Sequence, residues 1–95
     1  MWVLRSSEPD GTLTFLLARG ASKTVGRAPV ADFIVDAALV SRLHCRVIAA
    51  GEGIDVEDLS STNGTFINDR RVSTGQLGRG DRLRIGRVEL RVERV

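Results

Sequence analysis

A few side chains in this sequence have the types and spacing to do chemistry. Arg27, directly after Gly26, carries a permanent charge and a planar fork of donors. Ser41-Arg42-Leu43-His44 adds a hydroxyl, a second cation and the only histidine. Asp58-Leu59-Ser60-Ser61-Thr62-Asn63-Gly64-Thr65-Phe66-Ile67-Asn68 then supplies one acid, a run of small hydroxyl and amide groups, and an apolar piece closed by a second asparagine. Ser41 and His44 invite an enzymatic reading, with serine as nucleophile and imidazole as base. That reading fails, because no third residue in the sequence orients the imidazole and the G-x-S-x-G turn is missing. A lone histidine is also a poor metal ligand, since Cys45 beside it would face the other side of a strand. Neither a metal nor a cofactor is expected. Gly75, Gly78 and Gly80 cluster without a following Gly-Lys-Ser/Thr, so they form no phosphate loop of the nucleotide-binding kind. Asn63-Gly64-Thr65 satisfies the glycosylation pattern, which is coincidental in a chain with no secretion signal.

These residues need elements to hold them. Asn63-Gly64 is a strong turn signal, because both residue types tolerate φ > 0 and Thr-Phe-Ile after them favours a strand. Apolar residues elsewhere follow period two, and glycines recur at short intervals, which predicts an all-β sandwich or barrel of short antiparallel strands. Strands are expected over 1–6 and around Leu13, Phe15 and Leu17, with a turn at Pro9-Asp10-Gly11 between them. Lys23-Thr24-Val25 runs into Gly26-Arg27, and Phe33-Ile34-Val35 is a short strand between loops 28–32 and 36–43. Cys45, Val47 and Ala49 alternate with His44, Arg46 and Ile48, then Ile54 and Val56 with Asp55 and Glu57 across a turn at Gly51-Glu52-Gly53. Asn68-Asp69 turns the chain before Arg70-Arg71-Val72, and 73–80 reads as a glycine-rich connection. Residues 82–85 and 88–95 form a hairpin around Gly86-Arg87, with glycine first as a type II′ turn requires.

The chain has 95 residues, enough for one small domain spanning 1–95. No apolar run approaches 18 residues, so no membrane span is expected. Cys45 is the only cysteine and reads as a small buried hydrophobe in a reducing compartment. The net charge of +2 comes from 14 basic and 12 acidic groups, with the acids interspersed, so nucleic acid is not expected as a partner. Thirteen of the basic residues are arginine, which suits bidentate recognition of phosphate or carboxylate better than lysine does.

In order, the pieces read G-R, S-R-x-H and S-T-N-G-T-x-x-N, with Gly80-Asp81 and Ile85-Gly86 further on. This set closely resembles the forkhead-associated (FHA) domain, a phosphothreonine-peptide binding module, with its motif core at 26–68. The resemblance implies an FHA-type β-sandwich of about eleven short, mostly antiparallel strands, with binding loops gathered at one end. It implies that Arg27, Ser41 and Thr62 grip the phosphate, and that Asn63 bonds the bound peptide's backbone. Arg42 either adds charge beside the phosphate or lies on the surface. Gly26, His44, Ser61, Gly64 and Asn68 are expected as scaffold, His44 tying the serine loop to the neighbouring turn and Asn68 bracing a turn at the rim. Leu39, two residues before Ser41, falls where some members carry a charged selectivity residue; here it is apolar, favouring an apolar residue on the target.

The expected role is therefore recognition. A Ser/Thr kinase marks a threonine on a partner protein or peptide, and this module docks onto the mark, in the cytoplasm or, in a eukaryote, the nucleus. The alternative is a phosphate-independent assembly module using a face of the sandwich. Met1-Trp2 running directly into a strand suggests a natural N-terminus, and 95 residues leave no room for an effector, so the expected setting is the front of a longer protein.

Overall fold

The computed structural model describes residues 1–6 and 13–95. The expected turn at Pro9-Asp10-Gly11 lies outside the described residues. Among the described residues eleven strands form two sheets packed face to face. In chain order they are β1 (Trp2–Ser6), β2 (Thr14–Leu17), β3 (Ser22–Gly26), β4 (Phe33–Ile34), β5 (Cys45–Ala50), β6 (Gly53–Asp58), β7 (Thr65–Ile67), β8 (Arg70–Val72), β9 (Thr74–Leu77), β10 (Arg82–Ile85) and β11 (Val88–Arg94). One sheet runs β2-β1-β11-β10-β7-β8, the other β4-β3-β5-β6-β9. Every pairing is antiparallel except β3 with β4. Among the described residues no helix is long and apolar enough to cross a membrane.

Alternation decides which side chains meet between the sheets. Leu4, Leu17, Leu83, Ile85, Leu90 and Val92 from one sheet pack against Val25, Val47, Ile54, Val56 and Leu77 from the other. Phe15 and Phe33 stack at 4.7 Å between ring centroids, joining the edge strands of the two layers. Cys45 lies in this core, and burial, with Asp58 nearby, pushes its thiol up to about 12, so it stays a neutral apolar group.

The hairpins follow their turn chemistry. Asn68 and Asp69 both have positive φ (49° and 67°), as a two-residue type I′ loop between paired Ile67 and Arg70 requires. Gly86 alone has positive φ in the Gly86-Arg87 loop, the type II′ pattern. Three expectations need correction. Residues 73–80 contain strand β9, hidden because Thr-Gly-Gln-Leu offers a single large apolar side chain to mark a period. His44 does not alternate within β5; it precedes the strand and is fully buried. Asn63 does not adopt positive φ; Ser60 (58°) and Gly64 (91°) do, so the turn spans more residues than Asn-Gly alone suggests.

Candidate functional site

Three loops meet at one end of the sandwich because backbones approach unusually closely there. A Cβ on Gly26 would lie 2.1 Å from the Arg42 carbonyl oxygen and 2.9 Å from the Leu43 Cα. Only glycine at the end of β3 lets residues 41–43 lie against it. The contact is sealed by backbone hydrogen bonds from Arg27 N to Ser41 O (2.9 Å), Ala28 N to Arg42 O (3.1 Å) and His44 N to Val25 O (2.8 Å). Loop 36–43 also rests on Gly86, whose Cβ would come within 3.1 Å of Leu39.

His44 locks this loop to the next one. Its Nδ1 accepts a hydrogen bond from Ser41 N (3.0 Å), which leaves the proton on Nε2 to donate to Gly64 O (2.8 Å). Below it, Asp58 heads the turn. Its carboxylate accepts from Ser61 N (3.2 Å), Ser61 Oγ (2.5 Å) and Thr65 Oγ1 (2.7 Å), and Ser61 Oγ accepts in turn from Gly64 N (3.0 Å). Burial works to raise the Asp58 pKa, but the bonds from Ser61 and Thr65, with His44 nearby, together hold it below the ordinary carboxylate value.

Above this brace lies an open cleft of about 520 Å³, lined by Arg27, Leu39, Val40, Ser41, Arg42, Leu43, Ser60, Thr62 and Asn63. Arg27 donates from Nε to Val40 O (3.1 Å), which orients the guanidinium while its terminal nitrogens stay unpartnered among the described residues. The Arg42 side chain forms no ion pair among the described residues. Ser41 has its N–H and C=O tied into backbone contacts, and its Oγ accepts from Thr62 N (3.0 Å). The serine proton is therefore left to donate outward. Thr62 keeps a hydroxyl with no hydrogen-bond partner among the described residues, and Asn63 donates from Nδ2 to Leu39 O (3.0 Å), leaving its Oδ1 open. Two permanent cations, two hydroxyl donors and an amide thus converge on one concave surface, with no acid among the described residues that line it. Such a set can hold a dianionic group of three oxygens and an extended backbone beside it.

Two lining residues are strained. Leu39 and Ser60 have φ of 70° and 58°, a conformation that costs an ordinary L-residue about 1–3 kcal/mol. The Asn63 amide bond and the Gly86 contact hold Leu39 there, with its side chain 47% exposed on the cleft wall.

Of the residues singled out in the sequence, Arg27, Ser41, Arg42, Thr62, Asn63 and Leu39 line this cleft, with Gly26, His44, Ser61 and Gly64 beneath or behind it. Asn68 stands apart, on the β7–β8 hairpin, donating to Asp81 Oδ1 (3.0 Å) and accepting from Arg82 N (3.0 Å). Sequence reasoning assigned no role to Asp58, although Asp-x-x-Ser ahead of an Asn-Gly step signals a side-chain-headed turn. It also missed Leu43 and Ser60, whose place on the cleft follows from the way the loops pack.

The sequence model of the FHA domain matches residues 23–86. The ABC transporter ATP-binding/permease protein Rv1747 of Mycobacterium tuberculosis is 38% identical over 80 residues, covering 84% of this chain and 9% of that protein. The glycogen accumulation regulator GarA of Mycolicibacterium smegmatis is 34% identical over 82 residues, covering 86% of this chain and 51% of that protein. Among solved structures, the FhaA FHA domain complexed with the intracellular domain of Rv3910 superposes with a TM-score of 0.87 at 34% identity, covering 98% of this chain and all of that one (100%).

Proposed function

The chain belongs to the FHA domain family, and from that premise we propose that it docks onto phosphothreonine-containing segments of a partner protein through the Arg27–Thr62 cleft. One observation carries this reading: Arg27, Arg42, Ser41 and Thr62 converge with their outward donors unpartnered among the described residues, over a turn locked by His44 and Asp58. Arg27 and Arg42 supply the charge, Ser41 and Thr62 the short donors, and Asn63 Oδ1 accepts from the bound peptide's backbone. A Ser/Thr kinase writes the mark that this module reads, and the module itself performs no reaction. We read residues 1–95 as one recognition unit of a longer cytoplasmic or nuclear protein, since the chain spans about half of one curated relative described and about a tenth of the other.

Calorimetric titration with two degenerate peptide pools, one centred on threonine and one on phosphothreonine, tests this. Only the phosphorylated pool is expected to bind, and Arg27→Ala should weaken it about a hundredfold by removing charge-assisted bonds. Binding that ignores both the phosphate and Arg27 would leave the alternative, an assembly module that uses a sandwich face.

A further inference from the structure

The face of the six-stranded sheet turned away from the core carries a cluster of arginines that the cleft does not use. Arg5, Arg91 and Arg82 lie in register across β1, β11 and β10, a row of three like charges on adjacent strands. Directly opposed like charges destabilise a sheet. Arg5 is relieved by Glu93 (2.9 Å) and Arg82 by Asp69 (3.2 Å) and Glu89 (3.7 Å), whereas Arg91 makes no ion pair among the described residues. In a second row Glu89, Arg84, Phe66 and Arg71 stand side by side across β11, β10, β7 and β8. The Arg84 guanidinium lies 4.1 Å from the Phe66 ring centroid. Five arginines against Glu89, Glu93 and Asp69 concentrate on this one face an excess equal to the whole chain's +2. The outer face of the other sheet has the opposite sign, with Asp32, Asp55 and Glu57 against Arg46.

The basic face is continuous with the cleft. Arg71, at its edge, lies against Gly64, since a Cβ there would sit 2.8 Å from Arg71 Nε, and Asn63 beside Gly64 lines the cleft. No ion pair involves Arg71 among the described residues. We propose that an acidic segment of the phosphorylated partner leaves the cleft past Arg71 and lies across the outer face of the six-stranded sheet, over Arg84 and Arg91. This rests on the phosphothreonine reading and adds a second determinant to it. Three strand spacings of about 4.8 Å separate Arg71 from β11, so the track is roughly 14 Å long. An extended chain covers that in about four to five residues, which puts the acidic groups about four to eight residues from the phosphothreonine.

The test uses degenerate phosphothreonine pools carrying five aspartates, or five serines, beginning about four residues from the phosphothreonine on either side. On one side the aspartate form should bind about tenfold tighter than the serine form at about 50 mM salt, with most of that gain lost at high salt. The triple variant Arg71→Ala/Arg84→Ala/Arg91→Ala should keep the serine-pool affinity and lose the gain. Charge reversal by Arg91→Glu should transfer part of the gain to a lysine-tailed pool, and it removes a repulsion rather than a contact, so the fold survives. Equal binding of aspartate and serine forms on both sides overturns the proposal. So does an unphosphorylated aspartate pool that binds as tightly as the phosphorylated one, because the face would then act as a polyanion site independent of the cleft. If the serine pool alone binds too weakly to measure, the aspartate pool still decides: loss on the triple variant supports the track, and retention overturns it. Failure of the phosphothreonine reading is recognised separately, by indifference to Arg27→Ala.

Discussion

Asn63 and Asn68 stand five positions apart around strand β7 and end in opposite circumstances. Asn63 uses its amide nitrogen on Leu39 O and leaves its oxygen to the cleft. Asn68 is closed on both ends, by Asp81 and the Arg82 N–H, and its own N–H reaches Arg82 O (3.0 Å). Each turn is also held by a carboxylate: Asp58 binds Ser61 and Thr65, and Asp81 binds Gly78 N (2.7 Å). The chemistry beneath the two turns is alike. They differ in what is left over above. At the cleft the bracing groups are satisfied from below, so outward groups remain unmatched on a rigid floor. At the β7–β10 corner the same inventory is consumed within the fold. Recognition here is a surplus of donors and acceptors that the fold holds still without satisfying.

That contrast can be broken most severely at its backbone. Gly26→Ala drives a methyl into the Arg42 carbonyl, where neither side can yield, and should cost about 3 kcal/mol or more together with phosphopeptide binding. Gly80, near the closed corner, also has positive φ (88°) but has open space around it. Gly80→Ala should cost only about 1 kcal/mol of backbone strain and leave binding intact. Chemical denaturation read beside peptide titration separates the two, and equal losses would mean that the close approach at Gly26 is not what forms the cleft.

A sharper cut exchanges the asparagines. Asn63→Ala should weaken phosphopeptide binding about tenfold, because one accepted bond is lost and Leu39 is released from its strained position. Asn68→Ala should leave affinity unchanged and lower stability by about 1–2 kcal/mol through its lost bonds to Asp81 and Arg82. The reverse pattern would erase the distinction between open and closed turns.

Acid tests the two carboxylates together. For Asp58 burial opposes ionisation and the bonds from Ser61 and Thr65 overcome it; for Asp81 the Gly78 N–H and then the Asn68 amide lower the pKa. Both folded-state values lie below the ordinary 3.8, so their contribution is complete above that pH and is lost as pH falls through the lowered values. Asp58→Asn and Asp81→Asn should each flatten the acid limb of a stability profile. At neutral pH Asp58→Asn should cost roughly 2 kcal/mol and weaken phosphopeptide binding, while Asp81→Asn should affect stability alone. An unchanged acid limb in Asp58→Asn would mean that the carboxylate does not hold the turn.

The sequence made the fold legible where side chains alternate. Val88, Leu90 and Val92 against Glu89, Arg91 and Glu93 marked β11, and Asn68-Asp69 and Gly86-Arg87 marked their hairpins. It was illegible where pairing depends on backbone alone, as in β9, where Gly75 offers no side chain and Gln76 faces Asp55 on the solvent side. At the cleft the ordered motifs pointed to Arg27, Ser41, Thr62 and Asn63 before any geometry was known. The Asp58 floor was signalled locally, by Asp-x-x-Ser ahead of Asn-Gly, and that signal went unused. The strained backbone of Leu39 could not be read in the same way, because it exists only where Asn63 and Gly86, from distant parts of the chain, press on it.

The smallest expected effect concerns the ligand rather than the protein. Leu39, Val40 and Leu43 give the cleft an apolar wall beside its cations, with Val40 itself buried. A phosphothreonine differs from a phosphoserine by one methyl group, and burying a methyl is worth about 0.8 kcal/mol, roughly a fourfold preference. Matched peptides should therefore bind in about that ratio, and equal affinities would show that the wall does not receive the methyl. A much larger ratio has a different meaning. Packing alone cannot supply it, so the methyl would have to fix the rotation of the phosphate against Arg27, Ser41 and Thr62, strengthening bonds that a freely turning phosphoserine makes only part of the time. An aspartate at the same position should bind poorly on either account, because a carboxylate brings one oxygen fewer and less charge to a site whose unmatched donors are set for three.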